Sequence, residues 1–489
     1  MALRIVLGFV ALLLLGVVGA GAALFQLSPP VLVVAPEARD VVFDNVTLVE
    51  PGLRRMPGRR VTVEAGRIRE IGEALPGSPG EGYLLPGLID MHVHAPDPTI
   101  AGQADLFRLL YLAHGVTSVR NTGGGVAELD ERRRITRGDW AGPRVFACGS
   151  LVDGEPPVWG FARTLENPAG AAALVREHKQ AGFDCLKVYE RLRPEVLAAL
   201  VEAARAEGLP VVGHVPQRVR FEEAGIEDVQ HLRGSAREAA REPILDLAAN
   251  VGARLRDWAE LTPERAAFIV QVSREQGIVH TPTLVLYDRS ARMNQIERLK
   301  QAPELGWLPR FYADLSWDPR GLPWFDASPE EVWELARRGR DNAQRLVGEL
   351  FRAGVRIHAG TDVGNPFLVP GASLQEELAH LVAAGLNPEQ AWVAATRWPG
   401  EFLPLAGLGR IEPGAPADLL LFREDPTQDL AALGSLEAVI VDGRAYSREV
   451  LDAALAKARA HYRASFYESV SMAIGEWQRE ALLASLSEQ

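Results

Sequence analysis

The stretch Leu85-Pro86-Gly87-Leu88-Ile89-Asp90-Met91-His92-Val93-His94 ends an apolar run with two histidines one residue apart. An apolar run of this length reads as a buried strand, and residues i and i+2 of a strand project to one face. His92 and His94 can therefore grip one cation together. Standing alone, the pair would also suit two imidazoles satisfied by core or solvent partners. The residues downstream favour the first reading.

Further candidate ligands arrive one at a time, each near the end of a short apolar segment. Lys187 lies in Phe183-Asp184-Cys185-Leu186-Lys187-Val188-Tyr189, and His214 closes Leu209-Pro210-Val211-Val212-Gly213-His214. His231 follows Ile226-Glu227-Asp228-Val229-Gln230, and Asp362 closes Val355-Arg356-Ile357-His358-Ala359-Gly360-Thr361-Asp362. Strands alternating with helical patterns imply parallel pairing, and a barrel of such units gathers its chemistry at the strands' C-terminal ends. The expected fold is α/β, a (β/α)8 TIM barrel. His92, His94, His214, His231, Lys187 and Asp362 would meet at its mouth as a two-metal site.

These segments resemble the amidohydrolase superfamily, over nearly the whole chain after its leader. The resemblance also rests on Ala113-His114-Gly115-Val116-Thr117-Ser118-Val119-Arg120-Asn121-Thr122-Gly123-Gly124, on Gly142-Pro143-Arg144-Val145, and on Gly409-Arg410-Ile411-Glu412-Pro413-Gly414-Ala415-Pro416-Ala417-Asp418-Leu419. Within the superfamily it is similar to the branch of imidazolonepropionase-like and prolidase-like hydrolases. The resemblance implies that His92, His94 and Asp362 hold a buried metal and that His214 and His231 hold a more exposed one. Two Zn2+, or other divalent ions, suit that ligand set. It implies also that carbon dioxide carboxylates Lys187 to a carbamate bridging both ions. The implied reaction hydrolyses an amide, peptide-like or cyclic-amide C–N bond of a small substrate through a metal-bridging hydroxide. Asp362 would accept the nucleophile's proton and pass it to the leaving amine.

Three positions depart from the family pattern. Pro216 stands where prolidase-like relatives often carry tyrosine, Asn121 follows the strand-2 arginine in place of aspartate, and Gln375 replaces a histidine after strand 8. The metal ligands are all present, whereas a dipeptidase specificity is not supported. Arg120 is a candidate for binding a substrate carboxylate, and His280 for touching substrate at the end of strand 7. Each has a structural reading of equal weight. His114, His178, His358 and His380 read as structural. Two other functional classes stay open: a mononuclear deaminase or cyclic-amide hydrolase with Lys187 unmodified, and a non-catalytic, membrane-tethered binding protein.

The 489 residues exceed what one core usually organises, so a second, smaller domain is expected. A net charge of −12, with no basic face to compensate it, argues against nucleic acid as a partner. Residues 31–84 and 405–448 carry strand patterns too few on either side to bury a face alone, and they are read as one composite β-sandwich. One hairpin among them turns at Ala65-Gly66. The barrel occupies 85–404, and a segment at 287–345 is too long for a βα loop. That segment holds Trp307, Trp317, Trp324 and Trp333 and reads as a helical insertion or a lid. Helical patterns run from Pro194 to Glu207 and from a cap at Ser373 to Ala384. Asn387-Pro388 opens another helix, and 449–489 forms a helical extension.

Residues 1–30 read as a leader. Arg4 precedes an uncharged run from Ile5 to Phe25, whose 21 residues match a bilayer core of about 30 Å. That length favours a membrane anchor over a signal peptide, although Ala20-Gly21-Ala22 offers a cleavage site. Either outcome places the body outside the cytoplasm. Cys148 and Cys185 both lie in apolar strand-like runs and read as buried thiols, with a disulfide between them left open. Assembly into a homo-oligomer is also left open.

Overall fold

A computed structural model of the chain describes residues 30–94, 103–321, 325 and 329–487. The leader expected at residues 1–30 lies almost wholly outside them, as does Trp324. Among the described residues no helix is long and apolar enough to cross a membrane.

Strands β1 (Val41–Glu50), β2 (Arg54–Glu64), β3 (Arg67–Glu73) and β4 (Gly82–Pro86) come first. Ala65 and Gly66, both at positive φ, form the tight turn between β2 and β3 that suits the twist of a hairpin. Next are β5 (Leu88–Val93), β6 (Val116–Asn121), β7 (Arg144–Ala147), β8 (Val152–Asp153) and β9 (Arg163–Thr164). Then follow β10 (Leu186–Val188), β11 (Val211–Gly213), β12 (Asp228–Gln230) and β13 (Val279–Thr281). Last are β14 (Leu419–Phe422), β15 (Leu436–Val441) and β16 (Arg444–Ser447).

The first four strands and the last three join in one seven-stranded sheet, ordered β16-β15-β14-β4-β1-β2-β3. Its edge strand β3 bonds back to the segment before β14, through Ile68 N–H to Ala415 O at 3.0 Å and Ala417 N–H to Gly66 O at 2.9 Å. The expected sandwich of two sheets is thus a single curled sheet. Its inner face buries Val46, Leu48, Val61, Val63, Ile68, Leu84, Leu419 and Ile440. The long strands β1 and β2 bend at register shifts, so one sheet encloses the core that two would otherwise share.

The stretch around His92 is two strands, not one. Leu85 and Pro86 belong to β4 in the curled sheet, and Leu88 opens β5 in the next layer. Gly87 makes the crossing because a Cβ there would fall 2.7 Å or less from three side-chain atoms of Thr117. Strands β5, β6 and β7 pair in parallel, as do β10 through β13. Between these groups Asp184 N–H reaches Ala147 O and Tyr189 N–H reaches Val152 O, at 2.8 and 2.9 Å. Beyond β13, a segment at 355–363 bridges in parallel to His280 on one side and to Val93 on the other. The succession returns to its first strand. Helices on its outside include Gln103–Ala113, Val126–Arg137, Ala171–Ala181 and Pro194–Ala206.

Cys148 and Cys185 form a disulfide, a correction to the reading of free thiols. The hydrogen bond from Asp184 to Ala147 brings their neighbouring backbones together, with Cα atoms 4.5 Å apart. His178 lies against the carbonyls of both cysteines at 2.8 and 2.9 Å, a structural role as expected.

The 287–345 segment contains short helices and the start of Glu330–Arg352, a 23-residue helix. Trp317 is buried against Tyr312 and Phe367, so this part packs on the core instead of standing over it as a lid. The helix expected to start at Ser373 instead follows Gly371, which sits at positive φ, while Ser373 Oγ accepts from Val369 N–H. Asn387 forms the full reciprocal cap with Gln390. The extension forms two helices, Arg448–Tyr462 and Ser465–Ser487.

Candidate metal centre

Parallel strands that share one direction deliver their C-terminal residues to one rim. His92 is next to last in β5, and His94 lies just beyond it. His214 and His231 each follow the last residue of β11 and β12, and Lys187 sits in the middle of β10. Asp362 arrives from the segment that bridges back to β5.

The rim brings all six together. Asp362 Oδ1 lies 2.9 Å from His94 Nε2 and 3.3 Å from His92 Nε2, and Oδ2 lies 3.7 Å from His231 Nε2. Donor atoms of His92, His94 and Asp362 lie within 4.8 Å of one another, close enough to share an ion. The His92 and His231 rings are centred 4.3 Å apart, and those of His214 and His231 5.3 Å apart. Lys187 is buried and donates to Gln230 Oε1.

Two signs show that these groups are arranged for something besides each other. No well-directed hydrogen bond among the described residues reaches either ring nitrogen of His92, Nε2 of His214 or Oδ1 of Asp362, although all are buried. Buried polar atoms in native proteins are rarely left so. Moreover, His231, Thr283 and Asp362 adopt positive φ without being glycine, strain of a kind that concentrates at functional sites. Such a donor set fits divalent metal ions.

Electrostatics agree with metal ligation. Burial, then the nearby Lys187 cation, pushes His92 well below the usual imidazole range, and the same causes lower His214 to about 3. Neutral imidazole is the form that ligates metals. Burial raises the Asp362 carboxyl, but His231 and His94 outweigh it and hold it below the ordinary value. Burial lowers Lys187 to about 7, against the attraction of Asp362.

A second ring of residues holds these groups, and sequence reading missed it. Asp90 accepts from Thr361 Oγ1 at 2.7 Å, from Thr361 N–H at 3.0 Å and from His92 N–H at 3.2 Å, tying β5 to the Asp362 segment. Its place two residues before His92, on the same strand face, was the available signal. Glu190 Oε1 lies 3.3 Å from His214 Nδ1, and Thr283 Oγ1 lies 2.7 Å from His231 Nδ1. Tyr287 donates to the His231 carbonyl at 2.7 Å. Contacts of this kind set which ring nitrogen faces an ion.

Arg120 and His280 do not stand in the mouth. Arg120 is fully buried, donating from Nε to Met91 O at 2.8 Å and from Nη2 to Asp228 at 2.6 Å. Asp228 also accepts from Thr281, so this buried ion pair stitches β5, β6, β12 and β13 below the rim. His280 turns outward, its Nε2 2.9 Å from Ser273 Oγ on the helix Pro263–Gln276. Strand alternation explains both. Side chains on the wrong parity, or too early in a strand, do not reach the rim.

The sequence model of the amidohydrolase family matches residues 83–446, most of the chain. The chain belongs to the amidohydrolase family. This amidohydrolase is 26% identical to bottromycin amidohydrolase, with a TM-score of 0.70 over 88% of this chain and 92% of that one. A Xaa-Pro dipeptidase with bound methionine shares the fold at 21% identity, with a TM-score of 0.60 over 83% of this chain and all of that one (100%). An uncharacterised protein of Mycobacterium tuberculosis is 25% identical over 392 residues, 75% of this chain and 85% of its own length. A dihydroorotase of Pelobacter propionicus is 33% identical over 178 residues, 34% of this chain and 37% of its own. The amidohydrolase family generally binds divalent metals, and the protein is a hydrolase acting on C–N bonds.

Proposed function

We propose that this amidohydrolase is an exported binuclear zinc enzyme, built on a (β/α)8 barrel, that hydrolyses an amide or dipeptide-like bond of a small substrate. The observation that carries the reading is the convergence of four imidazoles, Asp362 and Lys187 on one rim, with both ring nitrogens of His92, Nε2 of His214 and Oδ1 of Asp362 left without a well-directed hydrogen bond among the described residues. His92, His94 and Asp362 would hold one ion, and His214 and His231 the other. Bound ions of this kind polarise a carbonyl and make water acidic enough to ionise near neutral pH.

The chain's own groups do the rest. Lys187, lowered to about 7 by burial, is in good part an uncharged amine at neutral pH. An uncharged amine adds carbon dioxide and releases one proton, which gives a carbamate with the charge the site requires. Asp362, kept ionised, takes the proton of the attacking water and hands it to the leaving amine. Glu190 and Thr283 keep the outward nitrogens of His214 and His231 engaged, so that Nε2 of each faces the site.

Export accords with the uncharged run Ile5–Phe25 and with the Cys148–Cys185 disulfide, which an oxidising compartment would maintain. In this reading 31–84 and 405–448 support the barrel, and the leader is an anchor or is cleaved. A mononuclear reading draws on one observation: His92, His94 and Asp362 are the tight donor group, while Lys187 donates to Gln230.

Metal content per chain decides between them, measured on leaderless protein prepared with bicarbonate. Close to two ions, falling in Lys187→Ala, is expected for the binuclear enzyme. One ion, unmoved by Lys187→Ala, would replace it with the mononuclear deaminase or cyclic-amide hydrolase. Absence of any ion would return the binding-protein reading.

A further inference from the structure

The lip of the centre carries bare aromatic rings. Strand β8 ends at Asp153 and pairs in parallel with β10, so the loop 154–162 beyond it leaves from the rim that holds the candidate ligands. On that loop Trp159 is 46% exposed and Phe161 64% exposed, with their rings stacked 6.0 Å apart at 15°. The Trp159 indole N–H donates to the Tyr189 hydroxyl at 2.9 Å. Tyr189 follows the last residue of β10, and its ring is centred 4.4 Å from that of His214. One tyrosine side chain therefore separates the exposed pair from a candidate metal ligand.

The rings are bare although their loop is held. Buried Asp153 accepts from Gly154 N–H at 3.0 Å, from Val158 N–H at 2.9 Å and from Arg191 N–H at 2.6 Å. Arg191 donates in turn to the carbonyls of Pro156, at 2.6 Å, and of Pro157, at 3.3 Å. The same guanidinium reaches the carbonyl of Leu245 at 3.4 Å, and Leu245 is 59% exposed. Single exposed apolar side chains are ordinary. An apolar patch gathered on a held loop beside a cluster of donors marks a binding surface. Rings already fixed in place lose little freedom on meeting a ligand, and a further ring stacks on them readily.

We propose that Trp159 and Phe161 form an aromatic platform that selects substrates carrying a ring or a bulky apolar group near the bond presented to the centre. This rests on the amide-hydrolase reading above and narrows it to arylacyl amides and N-acyl derivatives of large apolar amino acids. Tyr189 joins platform and centre, because its ring faces His214 while its hydroxyl holds the indole. A dipeptide-sized molecule seated at His214 spans that one side chain and reaches the platform. A small polar substrate would gain nothing from it.

The test uses metal-loaded, full-length protein with N-phenylacetyl-alanine and N-acetyl-phenylalanine, each set against N-acetyl-alanine, as free acids and as carboxamides. Cleavage is followed by amine release. Binding is followed by isothermal titration with ketomethylene analogues, which keep the carbonyl but have no C–N bond to cleave there. At least one ring-bearing compound is expected to exceed N-acetyl-alanine about 10-fold in kcat/KM, as an open apolar contact allows. Phe161→Ser, which leaves the bond between Trp159 and Tyr189 in place, should lower that ratio several-fold, and Phe161→Leu should keep part of it. Trp159→Ala should abolish the preference. A role confined to holding the loop would slow all compounds alike and leave the ratio intact in both variants, which overturns the platform. No preference for a ring in either measurement overturns it too. If ring-bearing analogues bind in a Phe161-dependent way yet nothing is cleaved, the hydrolase reading falls while the platform stands.

Discussion

At the scale of single residues, the centre depends on carboxylates whose charge is set by their surroundings. Glu190 is buried, which raises its pKa, yet Arg233 and His214 more than offset this and hold it well below the ordinary range. Ionised, it orients His214. Glu190→Gln is expected to weaken divalent-metal affinity about 10- to 100-fold without unfolding the chain, as chelator competition with a circular-dichroism control would show. Glu377 behaves oppositely. Its Oε2 accepts from Val285 N–H at 2.7 Å, but Oε1 makes no well-directed hydrogen bond among the described residues, and burial raises the carboxyl from 4.5 to about 8. The folded chain thus keeps a proton that the unfolded chain releases above about 4.5, and stability falls as pH climbs from there toward 8. Thermal midpoints measured between those limits should decline less steeply in Glu377→Gln. An equal slope in both proteins would assign the decline to other groups.

Elements contribute by how closely they approach. The segment carrying Asp362 lies against β5 so tightly that a Cβ on Gly360 would fall 2.5 Å from Thr281 Cγ2 and 3.0 Å from His92 N. Gly360→Ala should therefore cost about 1–3 kcal/mol in urea unfolding and reduce metal content, because the strand bearing His92 must shift. A change confined to stability, with metal content intact, would show that the strands separate without disturbing the ligands. Helix ends offer a milder case. Asn387→Ala removes the reciprocal cap with Gln390 and should cost about 1 kcal/mol with no effect on the site. The caps illustrate what local sequence does and does not specify. Asn387-Pro388 acts as read, whereas Ser373 is drawn away by the Val369 amide and leaves the helix start to Gly371.

Across the whole molecule, the chain's two flanks meet in one sheet and the disulfide clamps the third and fourth strand positions of the parallel succession. Cys148→Ser with Cys185→Ser is expected to lower stability by about 2–4 kcal/mol, and reductant should do the same to the parent protein but not to the double variant. The first helix of the C-terminal extension, Arg448–Tyr462, buries Leu451, Leu455 and Tyr462, packed beside the helix Gln103–Ala113. This places the first half of the extension within the fold's core and not as a detachable tail.

Much of this was legible in the chain. Period-two alternation, apolar runs and turn residues marked the strands, and the spacing of His92 and His94 disclosed a shared strand face. Because parallel strands deliver their ends to one rim, Lys187, His214, His231 and Asp362 could be placed there from order alone. Local chemistry could not decide what depends on distance through space. Arg120 lies in a motif at the correct strand, but only the packed structure shows Asp228 already beside it. Trp159 and Tyr189 are 30 residues apart on different segments, and nothing in either neighbourhood announces that they meet. The disulfide likewise needed the hydrogen bond between strands that brings its halves together. Sequence patterns report which face a residue occupies. Which partner it meets there is decided by packing, since that contact comes from chain far away.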